Sequence, residues 1–175
     1  MQLDFDLLSM TELRNRPGEI LDRVSDGDAY IIERNGRRRA CLVPFSYFFP
    51  DIPPQRIADE IKTLEDNGED PKPTINEARE LVFSFGAKMR SGKEVKLTVT
   101  LPHGYPDGCP RIQAEGIDPR SPHRWSNGDL CVFGVMSAWN PGKHTVFSTL
   151  QLGRQWLCRY DEWMSTGVWG KKENV

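Results

Sequence analysis

The run Phe49-Pro50-Asp51-Ile52-Pro53-Pro54 limits what this chain folds into more than any other feature. Its prolines lack backbone donors and hold their neighbours extended, so neither a helix nor a central strand passes through. Such a segment behaves as a stiff link. It divides the 175 residues into a short piece, 1–49, a linker, 50–54, and a longer piece, 55–170. A piece as short as the first buries little core alone and is expected to need a partner.

Residues 1–49 carry a complete set of local signals. Ser9-Met10-Thr11-Glu12 has the S-x-x-E spacing of a capping box, in which serine and glutamate satisfy each other's orphan N–H groups. The short helix it starts ends before Pro17, because proline disfavours the α conformation at Arg16. Pro17 suits the first turn of a second helix, with Ile20, Leu21 and Val24 as its apolar stripe and Gly27 as its stop. Segments 29–34 and 37–43 then flank Asn35-Gly36, a strong hairpin signal because both central turn residues need positive φ. The expected unit is a β-edge, two short helices and a hairpin. Leu7, Leu8, Ile20, Leu42 and Phe45 supply apolar surface for a twin, which predicts a homodimer. Arg34, Arg37, Arg38 and Arg39 cluster around the turn, either as a solvated, edge-blunting face or as a nucleic-acid contact.

Composition enters only to narrow the partners. With 27% charged residues and a formal net charge of −2, nothing global points to nucleic acid or a membrane, so any basic patch is local. No apolar run approaches the roughly 20 residues of a bilayer span, and the start, MQLDFDLLSM, is acidic. No membrane partner and no signal peptide are expected, and the cytoplasm is the default location. Cys41, Cys109, Cys131 and Cys158 form no CxxC pair. The spacings of His103, Cys109, His123 and Cys131 match no standard zinc knuckle, so no metal and no cofactor is expected.

Beyond the linker, 55–67 reads as an amphipathic helix through Ile57, Ile61 and Leu64, stopped by Gly68. Segments 81–85 and 95–101 read as strands joined across Arg90-Ser91-Gly92. In the second, Val95, Leu97, Val99 and Leu101 alternate with Lys96, Thr98 and Thr100, the pattern of one buried face. A third short strand falls at 111–115, and glycine and proline mark 116–142 as loop. From about Thr145 to Met164, Val146, Leu150, Gly153, Leu157 and Tyr160 share one helical face, widened by Phe147, Trp156 and Trp163. The fold class is α+β: a small module, then helix, antiparallel meander, loop and long helix.

The stretches SMTELRNRPGEILDRV and AYIIERNGRRRACLVPFSYF make the first piece resemble the Phd/YefM antitoxin family. The resemblance implies dimers that bind operator DNA through N-terminal helices and nearby arginines. By position it adds Arg14 to the candidate DNA contacts Arg34, Arg37, Arg38 and Arg39. The tail with which such antitoxins wrap their toxins has no counterpart; a second domain takes its place.

Three spaced motifs make the longer piece resemble ubiquitin-conjugating enzymes. LPHGYPDGCP (101–110) is similar to their "FPxxYPxxPP", His123…Gly128-Asp129-Leu130-Cys131 to their "HPN…GxICL", and Trp139-Asn140-Pro141, eight residues past the cysteine, to their "WSP". The resemblance implies that Cys131 takes the C-terminal glycine of a ubiquitin-like protein from an activating enzyme and passes it on. It implies His123 as a loop-holding residue, with general base as the alternative, and Tyr105, Pro106, Gly128, Trp139 and Pro141 as architecture. Cys109 stands where the family has proline, and Cys158 lies on the core helix; both read as packing. Two departures stand out. Trp125 replaces the oxyanion-supporting asparagine, and the histidine-to-cysteine interval is shorter by about two residues. Asn127 is the candidate to reach the site instead. The compact form is that of bacterial conjugating-type proteins of ubiquitin-like gene cassettes, anti-phage ones included. Three readings stay open: a conjugating enzyme fused to an antitoxin-like module, a DNA-binding regulator with a catalytically inactive scaffold, or two protein-interaction platforms, the first serving only dimerisation.

Overall fold

In the computed structural model, which describes residues 3–134 and 138–170, the α+β chain divides into two units, Met1–Pro54 and Gln55–Val175. The first begins with β1 (Phe5–Ser9), α1 (Met10–Asn15) and α2 (Pro17–Ser25), followed by β2 (Ala29–Arg34), β3 (Arg37–Leu42) and the single turn α3 (Phe45–Phe48). Ser9 caps α1: its Oγ accepts from the Glu12 N–H at 3.1 Å, and the Glu12 carboxylate accepts from the Ser9 N–H at 3.0 Å. Pro17 opens α2, and Asn35 and Gly36 turn the hairpin at φ 55° and 67°. β1 lies parallel to β2 and β3 antiparallel to it, in the order β1-β2-β3.

Leu8, Ile20, Val24, Tyr30 and Ile32 form the core of this unit. That corrects two expectations. Leu8 and Ile20, read as surface for a twin, are buried within their own unit, and Leu21, read as part of the stripe, is exposed. Residues 20 and 24 share a helix face, whereas 21 stands about 100° further round. Phe5 and Leu7 point away from the core, because successive strand residues alternate faces. In register, Leu7, Ile31 and Cys41 line up across that open face of the sheet.

The second unit holds α4 (Pro54–Asp66), β4 (Thr74–Ile75), β5 (Leu81–Lys88), β6 (Glu94–Leu101), β7 (Arg111–Ala114) and α5 (Val146–Thr166). The strands form one antiparallel meander, β4-β5-β6-β7. Phe83, Val99 and Ile112 stand in one cross-strand row, and every predicted inward residue of β6 is buried. β5 runs three residues past its apolar part, since Gly86 to Lys88 still pair with Lys96 to Glu94. Ladder pairing of polar residues leaves no hydropathy trace. The two-residue β4 was likewise not anticipated. α5 starts from a capping box between Thr145 and Ser148 and lays its predicted face on β6 and β7. Gly153 permits this approach: a Cβ there would stand 2.3 Å from Ile112 Cδ1. Between β7 and α5 the described chain is loop and turn; residues 135–137 of the predicted loop, like Met1 and Gln2 of the first module, lie outside the described residues.

Candidate active site around Cys131

The loop before Cys131 is a tight reversal. Arg124 bridges Leu130, the Trp125 N–H donates to the Asp129 carbonyl at 2.8 Å, and the Gly128 N–H donates to the Trp125 carbonyl at 2.9 Å. Gly128 turns at φ +93°, a conformation that side chains rarely adopt, and a Cβ there would meet Arg124 Nη2 at 3.1 Å. Inside the reversal Asp129 is buried; its oxygens accept from Gln113 Nε2 at 2.8 Å and Asn127 Nδ2 at 2.7 Å. The Leu130 N–H donates to the Ile112 carbonyl at 2.8 Å, which pins the loop to β7.

One residue on, the Cys131 N–H donates to the His123 carbonyl at 2.8 Å. His123 adopts φ +54°, and the same carbonyl accepts from Trp156 Nε1 of α5 at 2.9 Å. His123 thus holds the loop through its backbone oxygen, while its ring packs 5.3 Å from that of Trp169. Leu130 points into the core and Cys131 out of it. The thiol is partly exposed, donates to the Gly134 carbonyl at 3.3 Å, and lines a cavity of about 460 Å³ with His123, Trp156, Arg159 and Trp169. Gly167, at φ +73°, ends α5 and turns the chain back so that Trp169 packs 5.1 Å from Trp156.

The remaining thiols of this unit are exposed to a similar degree but stand in other surroundings. Cys109 is half-buried, and burial pushes its thiol up to about 11, away from the thiolate that nucleophilic attack requires. Cys158 is half-buried on α5. Among the described residues no three His, Cys, Asp or Glu side chains gather as a metal site.

Behind the loop lies a brace that joins the other motif residues. Trp139 Nε1 donates to the Pro106 carbonyl at 2.7 Å, and the Trp139 ring sits among Tyr105, Phe133 and His144. Tyr105 is fully buried, and its hydroxyl donates to Glu60 in a short hydrogen bond. Burial first, then the Glu60 carboxylate, holds that phenol above its ordinary range, so it stays a donor. Glu60 pairs with Arg56 at 2.8 Å and accepts from the Val146 N–H, the first of α5, at 2.7 Å. Arg56 in turn donates to the carbonyls of Pro141 at 2.9 Å and His144 at 2.8 Å. Sequence reasoning missed Arg56 and Glu60. The available signal was a glutamate inside the apolar stripe of Ile57, Ile61 and Leu64, with an arginine four residues before it.

The structure does not bring every candidate together. Asn127 is engaged by Asp129 and lines a different cavity, of about 350 Å³, with Trp125, Cys109 and Phe133. Trp125, at the asparagine's position, is exposed. In the first unit Arg14, Arg34, Arg37, Arg38 and Arg39 are all exposed and form no ion pair among the described residues. Arg34 and Arg39 line one pocket with Met10 and Asn35. The strand register skips Arg39, a bulge that re-aims its side chain.

The family matches give a ubiquitin-conjugating-type domain that follows an antitoxin-like module in the chain. Residues 78–174, more than half of the chain, match the family described as Type II CBASS E2 protein, and the chain belongs to that family. Residues 6–48 match the family described as antitoxin Phd_YefM of type II toxin-antitoxin systems. Solved structures similar to the chain include a ubiquitin conjugating enzyme E2 from Plasmodium falciparum, with 18% identity, a TM-score of 0.44, and coverage of 59% of this chain and 96% of that one. The Plasmodium vivax ubiquitin conjugating enzyme E2 is 20% identical, with a TM-score of 0.42 over 58% of this chain and 97% of that one. The Vps23 UEV in complex with ubiquitin is 16% identical, with a TM-score of 0.41 over 62% and 89%. No curated protein matches. Among the described residues no helix is long and apolar enough to cross a membrane.

Proposed function

We propose that the protein carries a ubiquitin-like protein as a thioester on Cys131 and passes it to a target in an anti-phage system, working in the cytoplasm. The observation that carries this reading is the partly exposed Cys131 thiol, which lines a cavity with His123 while its own N–H is held by the His123 carbonyl. Exposure lets a partner's thioester reach the sulfur. The test is a reductant-labile adduct formed with the cognate activating enzyme, modifier and ATP.

A second reading, a DNA-binding regulator whose conjugating-type domain is an inactive scaffold, is favoured by Trp125 in place of the asparagine. Absence of any adduct with a demonstrably active partner would select it.

For the first unit we propose homodimerisation through the open sheet face that carries Phe5, Leu7, Ile31 and Cys41, with half-buried Leu42 and Phe45 beside it in sequence. Light scattering is expected to give twice the chain mass for the full protein and a monomer for a chain starting at Pro54. Equal monomeric states would end the idea. Operator DNA is the proposed ligand of Arg14, Arg34, Arg37, Arg38 and Arg39. A few phosphate contacts per subunit predict binding that weakens with salt, at about 0.9 log–log slope per contact, doubled in a dimer. A gel shift with the DNA upstream of its own operon measures this. Binding unchanged in the Arg14→Ala, Arg34→Ala double variant would remove the assignment.

A further inference from the structure

When an amine attacks a thioester, its nitrogen bonds to the carbonyl carbon and the carbonyl π pair moves onto oxygen. The oxyanion then collapses, the C–S bond breaks to release the Cys131 thiolate, and the amine proton passes to solvent, leaving an amide. The oxygen needs a donor at the moment it becomes charged. Among the described residues several of the usual sources near Cys131 are engaged or elsewhere. The Cys131 N–H donates to the His123 carbonyl, and the Val132 N–H to the Leu130 carbonyl at 2.9 Å. Asn127 serves Asp129 and lines another cavity, Trp125 faces solvent, and Trp156 Nε1 donates to His123.

Among the described residues one arginine lines the thiol's own cavity. Arg159 lies one helical turn beyond Trp156 on α5, is half-buried, and lines the cavity with Cys131, His123 and Trp169. Among the described residues its guanidinium meets no acceptor and no carboxylate, unlike Arg154 on the same helix, which is paired with Glu69 at 2.6 Å. A guanidinium with no partner among the described residues, lining one cavity with Trp156 and Trp169, is suited to an anion and costs little reorganisation when one forms. We propose that Arg159 is a catalytic residue that donates to the thioester oxyanion at Cys131, in place of the missing asparagine. The inference rests on Cys131 as the nucleophile, and its ligand is the acyl oxygen of a peptide ending in glycine.

The test charges the full chain with an excess of a short peptide thioester ending in Gly-Gly, with Cys131→Ala as the blank. Discharge of the Cys131 adduct by free lysine and by hydroxylamine is followed by intact mass. Arg159→Ala is expected to slow discharge to both amines by the same factor, about 100-fold, as for loss of one oxyanion donor. The amine concentration at half-saturation and the thermal midpoint should stay put, and Arg159→Lys should recover part of the rate. A merely structural arginine would move the midpoint or affect the two amines differently. An adduct that leaves Arg159→Ala as fast as the unsubstituted protein would overturn this inference alone. An unsubstituted protein that forms no Cys131 adduct would overturn the nucleophile reading and this inference with it.

Discussion

Replacing Cys131 with alanine is expected to abolish the reductant-labile adduct with a ubiquitin-like protein, while Cys109→Ala and Cys158→Ala keep it. The three thiols of the second unit share one polypeptide but not one environment. Cys131 follows a buried leucine on a loop whose backbone is anchored to Ile112 and His123, and its thiol is partly exposed. Cys109 is the opposite case, since the burial that pushes its thiol up to about 11 leaves little thiolate at neutral pH. Gel electrophoresis with and without thiol reductant reads the outcome directly. An adduct that persists in Cys131→Ala would place the nucleophile elsewhere.

Arg56→Met is expected to cost about 3 kcal/mol of stability in the second unit. Glu60 is only 1% exposed, and Arg56 supplies its compensating charge. Removing one partner of a buried pair costs roughly 3–5 kcal/mol, because the other charge stays behind in a medium that solvates it poorly. Arg56 keeps about a fifth of its side chain at solvent, which argues for the lower end. The same substitution strips a donor from the carbonyls of Pro141 and His144, the segment that follows Trp139. All five tryptophans lie beyond residue 120, so their fluorescence reports this unit alone. The urea midpoint should fall by roughly 1–2 M. Adding Glu60→Leu should return part of the loss, since an apolar pair of similar volume removes the orphaned charge. A midpoint indistinguishable from that of the unsubstituted protein would mean that the network contributes nothing.

Those two residues mark the boundary between what the chain spells out locally and what folding adds. The capping box at Ser9, the helix start at Pro17, the Asn35-Gly36 turn, the alternation along β6 and the apolar face of α5 were legible, because each depends on residues a few positions apart and on the fixed periods of helix and strand. Motif spacing likewise led to Cys131, to the Tyr105-Pro106 segment and to Trp139-Asn140-Pro141. What was not legible depends on which groups meet across the fold. Leu8 and Leu7 are adjacent and chemically alike, yet one is core and the other surface, since only the pairing with β2 decides which way the pleat points. Arg56 and His144 stand 88 residues apart and are joined by one hydrogen bond, and Glu60 joins Tyr105 and the start of α5 in the same way. Asn127 is near Cys131 in sequence but is turned into another cavity by Asp129, whereas Arg159, 28 residues further along, lines the thiol's own. Sequence by itself determined the elements, their order and where Cys131 stands among them. Only the tertiary structure decided which polar groups are buried together and which donors are left for the chemistry, because burial and pairing are properties of packed surfaces and not of neighbours along the chain.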